Sequence, residues 1–255
     1  MQRHTHRAIA LLLCAAAHSA FAAEIRVLSG GAIEPGVRPA IAAFERAGTD
    51  TVALSFATAP QIRQRIEAGE RFDVVIAPPA VLDALAAASK LGGAEAAQRV
   101  MLGSVGLGVA VRPGAPRPDI SNAEAFMRAL READSLVFNR ASTGLYFEGL
   151  LKRLGVEAET TPKTIRYADG ASVMEHVLHG RGREIGVGAT TEILLLREQG
   201  LQLVGPLPAE LQNLTAYQAS PTQASPSAAV QALLRQLGSV EAKAAYSAAG
   251  IVPTR

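Results

Sequence analysis

The chain has 255 residues, 49% hydrophobic and 19% charged, which is enough apolar content for one large domain or two smaller ones and too little charge for disorder. Its 23 glycines and 14 prolines fall short of a collagen-like or linker-dominated composition. Tryptophan is absent and there are only 7 Phe and 4 Tyr, so few rings are on offer for stacking sugars or single-stranded nucleic acid.

Residues 1–22 read as a secretory signal. Arg3 and Arg7 give a positive start, residues 8–17 are an unbroken apolar run, and Ala20-Phe21-Ala22 fits small-x-small cleavage. The run is too short for a bilayer span, which takes about 20 residues, so export to the periplasm is expected. Arg3 and Arg7 are the only Lys or Arg in this segment, which leaves 23 of the 25 basic residues against 23 acidic ones. A formally neutral mature chain gives no footing for a nucleic-acid or anionic-membrane surface. Cys14, the only cysteine, lies inside the signal behind three leucines rather than at a lipid-attachment site. The mature protein therefore lacks disulfide, zinc-thiolate and thiol-nucleophile chemistry.

Strand-like and helix-like runs then alternate. The pattern predicts strands at 24–28, 51–56 and 73–77, with helices at 33–46, 61–68 and 81–89. A glycine-bearing strand at 104–111 leads into a Pro-rich loop at 112–118. Beyond it come helices at 123–132, 144–154, 172–178 and 191–199, and strands at 135–138, 164–167 and 184–187. Residues 201–204 and 214–219 are strand-like and 227–249 hold helices. Short loops between such units predict an α/β fold of doubly wound sheets. If 214–219 returns to the first sheet, two lobes are joined by two crossing strands. The expected division is 23–107 for the first lobe, 108–211 for the second and 212–255 for the return segment, with a ligand between the lobes.

Four strand-to-helix turns carry glycine or small hydroxyl residues. They are Leu28-Ser29-Gly30-Gly31-Ala32, Ala57-Thr58-Ala59-Pro60, Asn139-Arg140-Ala141-Ser142-Thr143-Gly144 and Asp169-Gly170-Ala171-Ser172. Each exposes unpaired N–H groups at a helix start, where the dipole favours negative charge. Ser, Thr and Asp also cap helices in any protein. Four such turns at the carboxyl ends of strands, two in each expected lobe, point to a shared cleft.

The order of elements resembles the periplasmic molybdate-binding proteins, the solute-binding subunits of ABC-type oxyanion importers. The resemblance rests on the opening Ile25-Arg-Val-Leu-Ser-Gly-Gly-Ala32, on Phe72-Asp-Val-Val-Ile-Ala-Pro78, on Ser142-Thr-Gly-Leu-Tyr146 with Leu150-Leu-Lys-Arg-Leu-Gly155, and on Gly186-Val-Gly-Ala-Thr-Thr-Glu192. It implies a two-lobed type II periplasmic binding protein, a monomer that captures a molybdate- or tungstate-like oxyanion and passes it to an ABC permease. The implied ligands are Ser29, Thr58, Thr143 and Ala171, the last two through main-chain N–H, with Gly30, Ala59 and Ser142 in the same turns. The family often places a tyrosine donor where this chain reads Gly188-Ala189-Thr190, and Tyr146, Tyr167, Thr190 or Thr191 are the candidate replacements.

Arg140 would favour a small organic carboxylate if it faced the cleft, because guanidinium pairs with carboxylate bidentately; otherwise it is a surface arginine. A ligand-sensing subunit of a signalling system would use the same lobes. Catalytic signatures are missing. Ser104 lacks the G-x-S-x-G frame, and His176 and His179 do not form H-E-x-x-H. No covalent chemistry, cofactor or metal is expected.

Overall fold

The computed structural model describes residues 22–91 and 99–253; the expected signal, with Cys14, lies outside them except for Ala22. In chain order the strands are β1 (Glu24–Gly30), β2 (Thr51–Ala57), β3 (Val74–Ala77), β4 (Val100–Val111), β5 (Ser135–Asn139), β6 (Thr164–Tyr167), β7 (Glu184–Ala189), β8 (Gln202–Pro206) and β9 (Leu214–Pro221). The helices are α1 (Glu34–Ala47), α2 (Ala59–Glu67), α3 (Pro79–Ala87), α4 (Ala123–Glu132), α5 (Ser142–Arg153), α6 (Glu157–Thr160), α7 (Gly170–Leu178), α8 (Thr190–Leu195), α9 (Ala228–Leu237) and α10 (Val240–Ala248).

Two sheets share one strand. In the first, β2, β1 and β3 run parallel, and β9 pairs antiparallel with both β3 and the Val100–Gly106 stretch of β4. In the second, β6, β5 and β7 run parallel, while β7 and β8 flank the remainder of β4 antiparallel. The long strand β4 therefore changes partners between Gly106 and Leu107. At that point the Gln212 side chain accepts from the Leu107 N–H at 2.8 Å and donates to the Leu107 carbonyl at 2.9 Å, standing in for a strand neighbour.

Both faces of each sheet are apolar, as sheets covered by helices on two sides require. Ile25 and Val27 pack with α1, α9 and α10 through Val37, Leu233 and Tyr246, while Leu28 and Val75 meet Ile62 and Leu82 on the opposite face. In the second sheet Val109 and Phe138 face Phe126 and Phe147, and Val137 faces Val173 and Ile193. The Phe138 and Phe147 rings meet edge-on at 5.0 Å. The architecture is the two-lobed doubly wound α/β fold that the alternation predicts.

Some bounds differ. β4 starts four residues earlier than predicted, because Gly103 takes a φ of +152° at a register shift and carries the strand through an irregularity. A Cβ there would fall 2.9 Å from the Val252 carbonyl oxygen. The helix predicted at 191–199 stops at Leu195 and is followed by a single 3-10 turn, Arg197–Gln199, closed by Gly200 at φ +101°.

Candidate functional site

The carboxyl ends of the parallel strands in both sheets open onto one cavity of about 430 Å³. Its polar rim comes from turns. Gly30 and Gly31 follow β1, Thr58 and Ala59 follow β2, Ser142 and Thr143 follow β5, and Gly170 and Ala171 follow β6. Its apolar walls include Phe56, Pro78, Met174 and Leu195.

Each helix start is organised by a different residue. Thr58 gives both its N–H and its hydroxyl to Gln61 Oε1, at 2.9 and 3.0 Å, and Ala59 beside it lines the cavity. At α5 the organiser is Asn139, buried at the end of β5. Its Oδ1 accepts from the N–H groups of Ala141 and Gly144, both at 3.0 Å, and its Nδ2 donates to Thr143 Oγ1 at 3.0 Å. The main-chain N–H groups of Ser142 and Thr143 remain for a ligand. At α7 the Asp169 carboxylate accepts from the Ser172 N–H at 2.8 Å, leaving those of Gly170 and Ala171.

Of the eight residues expected at the site, Gly30, Thr58, Ala59, Ser142, Thr143 and Ala171 line the cavity and Ser29 and Arg140 do not. Ser29 is fully buried and donates to the Gly30 carbonyl at 3.2 Å. By the alternation of a strand it shares the face of Ile25 and Val27, which packs into the core. Arg140 is exposed, with only its main chain engaged, through an N–H donated to the Tyr167 carbonyl at 2.8 Å. The four candidates for the missing phenol are engaged elsewhere. The Tyr146 hydroxyl donates to the Leu211 carbonyl at 2.9 Å and that of Tyr167 bonds His176 Nδ1 at 2.9 Å. Thr190 and Thr191 donate to the carbonyls of Gly106 and Ala32.

The phenol in the cavity is Tyr217, from β9. Its ring lies against Gly30, where a Cβ would come within 2.7 Å of Cε1. Burial, with some help from the negative charge of Glu192, holds its hydroxyl in the neutral form by raising its pKa.

Glu192 is the second residue that sequence reasoning missed. It is the third residue of α8, where an acidic side chain suits the helix start and the Ala189 N–H favours its charged form. Its carboxyl group is fitted among glycines of three separate segments. A Cβ on Gly170 would overlap it, and a Cβ on Gly31 or Gly188 would lie 3.8 Å from it. Burial, opposed by the Ala189 N–H and reinforced by the charges of Asp169 and Glu34, pushes its pKa from 4.5 to about 7.

Acidic side chains around the cavity comprise Glu34, Asp169, Glu175 and Glu192, and among the described residues none that lines it is Lys, Arg or His. Three of the four are occupied or exposed. Glu34 pairs with Arg38, Asp169 caps its own helix, and Glu175 is exposed beside His179. Glu192 lines the same cavity with its carboxyl group set beside Gly170 and Gly31.

The chain matches the sequence profile described as bacterial extracellular solute-binding protein over residues 25–252. It is 32% identical over 239 residues to an aconitate isomerase from a Pseudomonas species, a stretch covering 90% of this chain and 87% of that protein. Among solved structures it is similar to the periplasmic molybdate-binding protein of Azotobacter vinelandii, with a TM-score of 0.73 at 16% identity over 91% of this chain and 100% of that one. A sulfate-binding protein from Mycobacterium tuberculosis gives a TM-score of 0.69 at 16% identity, covering 91% and 87%. A profile matched across nearly the whole described chain, on a two-lobed frame with a cavity at the strand ends, places this protein in the family of bacterial extracellular solute-binding proteins.

Proposed function

We propose that this chain captures a small organic polycarboxylate of the aconitate class between its two lobes, with the ligand's carboxylates held on main-chain N–H groups at the starts of α2, α5 and α7. The reading rests on the convergence of those helix starts, from both sheets, on a single space of about 430 Å³. That volume falls in the roughly 300–1,000 Å³ range of organic-ligand sites and exceeds what one tetrahedral oxyanion fills. Phe56, Pro78, Met174 and Leu195 suit a carbon skeleton, and aligned neutral N–H dipoles can hold carboxylate without a countercharge. Similarity to a protein named aconitate isomerase supports the same ligand class.

On this reading Gly30, Thr58, Ala59, Ser142, Thr143 and Ala171 face the ligand. Residues 23–107 with 212–255 form one lobe and 108–211 the other, and closure about β4 and β9 favours the state in which the ligand bridges them. The protein works as an exported, periplasmic monomer.

The fold neighbours and the neutral donor set favour a second reading, capture of a molybdate- or tungstate-like oxyanion for an ABC permease. One thermal-shift panel separates the two. A ligand at about 100 times its dissociation constant stabilises the folded state by about 2.7 kcal/mol. The proposal expects the largest shifts from cis-aconitate, trans-aconitate or citrate. Shifts confined to molybdate, tungstate or sulfate support the second reading, and a response only to a cationic amine overturns both.

A further inference from the structure

The polycarboxylate reading leaves one group in the cavity without a role in holding an anion. Glu192 cannot donate to a carboxylate while ionised, and its position against Gly170 and Gly31 brings it to the helix start where a ligand carboxylate would sit. A group kept only for capture would be better replaced by a neutral or basic one. Tyr217, on the strand that returns to the first sheet, faces the same space with its hydroxyl held neutral.

We propose that Glu192 is the catalytic base of a proton transfer within a bound unsaturated tricarboxylate, and that Tyr217 is the neutral hydroxyl that steadies the charge formed on the substrate. This rests on the polycarboxylate reading above. The Glu192 carboxylate takes a proton from the methylene carbon next to one carboxylate. The electron pair left behind moves through the neighbouring double bond onto the far vinylic carbon and its carboxylate, where the helix-start N–H groups and the Tyr217 hydroxyl meet it. Protonated Glu192 returns the proton to that far carbon. The double bond has moved by one carbon, no group has left, nothing has been oxidised or reduced, and the enzyme is restored.

The architecture fits those demands. One carboxyl group must accept at the methylene carbon and donate at the far vinylic carbon two positions along, which works best when its pKa lies near the operating pH, and burial brings Glu192 to about 7. The charged and titratable groups lining the cavity with it are Glu34 from α1, Asp169 from the turn before α7, Glu175 from α7, and Tyr217 from β9. With Glu34 paired to Arg38 and Asp169 bonded to the Ser172 N–H, neither is placed to replace it as the base.

The test follows proton exchange by NMR in D2O, with the full exported chain and trans-aconitate or cis-aconitate as the probe. Wild type is expected to bind both isomers, to exchange the methylene and vinylic protons for deuterium, and to interconvert the isomers. Glu192→Gln should still give a thermal shift with the probe while exchange falls by about 10²–10⁴-fold. Glu192→Asp should retain part of the exchange, which separates loss of the base from loss of the fold. Exchange in Glu192→Gln within a few-fold of wild type overturns the assignment, as does wild type that binds the probe without exchanging it. If neither isomer shifts the melting of wild type, the ligand class fails first and this inference falls with it.

Discussion

Replacing Glu192 by Gln keeps the shape of the side chain and removes its titration, so the variant isolates one number. In the folded chain the carboxyl group prefers its proton up to about 7, against 4.5 for an ordinary glutamate. Below 4.5 it is protonated in the folded and unfolded chain alike and contributes no pH dependence. Between 4.5 and about 7 the unfolded chain has released the proton and the folded one retains it, so stability falls as the pH rises. Above about 7 both forms are ionised and the loss is complete. At about 1.4 kcal/mol per pH unit the gap amounts to about 3 kcal/mol. That corresponds to a melting shift of roughly 6–12 °C in a chain of this size. Urea unfolding of ligand-free wild type and Glu192→Gln at pH 5, 6, 7 and 8 reads it directly. The variant should gain on wild type across that range, by about 2.5 kcal/mol at pH 8 relative to pH 5. Parallel stability curves would refute the claim that this carboxyl group is held in a dehydrated, charge-averse setting.

Two further substitutions probe the walls of the same cavity and a third probes a residue outside it. Gly170→Ala should destabilise the fold by about 1–3 kcal/mol through overlap with the Glu192 carboxyl group, and Glu192→Ala added to it should restore most of the loss in thermal unfolding. Asn139→Ala leaves the N–H groups of Ala141 and Gly144 without their acceptor; a loss of about 1–3 kcal/mol is expected, together with a weaker thermal response to ligand. Arg140→Ala should leave stability within about 0.5 kcal/mol and ligand affinity unchanged by calorimetry, and a lost response would bring that side chain into the site.

The fold was legible because each parallel strand is a short apolar run followed by a small-residue turn, as in Asp73 to Pro78 and Ser135 to Thr143. Period-2 and period-3.6 patterns change cleanly at those turns. Bounds failed at Gly103, where one glycine carries the strand through a register shift, and after Leu195, where the predicted helix gives way to a 3-10 turn. Cavity-lining residues were legible when they stood on the turn itself, as Thr58, Ala59, Ser142 and Thr143 do. Ser29 lay one position too early, and one position in a strand is enough to swap the rim for the core. Glu192 and Tyr217 carried no such signal. An acidic residue three places into a helix is an ordinary dipole choice, and a tyrosine within a buried strand reads as packing. What sets them apart is their company, Gly30, Gly31, Gly170 and Gly188, and those glycines come together only in three dimensions.

A cavity that receives an anion while surrounded by acidic side chains poses an electrostatic problem, and its solution differs from residue to residue. Arg38 offsets Glu34 from outside the cavity, and Asp169 directs its oxygen to its own helix N–H. Glu175 is exposed, where water screens its charge. Among the described residues no cation pairs with Glu192, so beyond the Ala189 N–H its charge is relieved by protonation, and near neutral pH both of its forms are accessible. Simple capture would tolerate that arrangement poorly, since an ionised Glu192 repels the ligand that the surrounding N–H groups attract. A reaction that passes one proton out and back makes use of it, because the repulsion disappears whenever the carboxyl group holds the substrate's proton. On the proposed reading, the same three helix starts that would seat the carboxylates would then oppose the charge left on the carbon skeleton. In such a family member, chemistry requires only one buried carboxyl group added to a frame already built for capture.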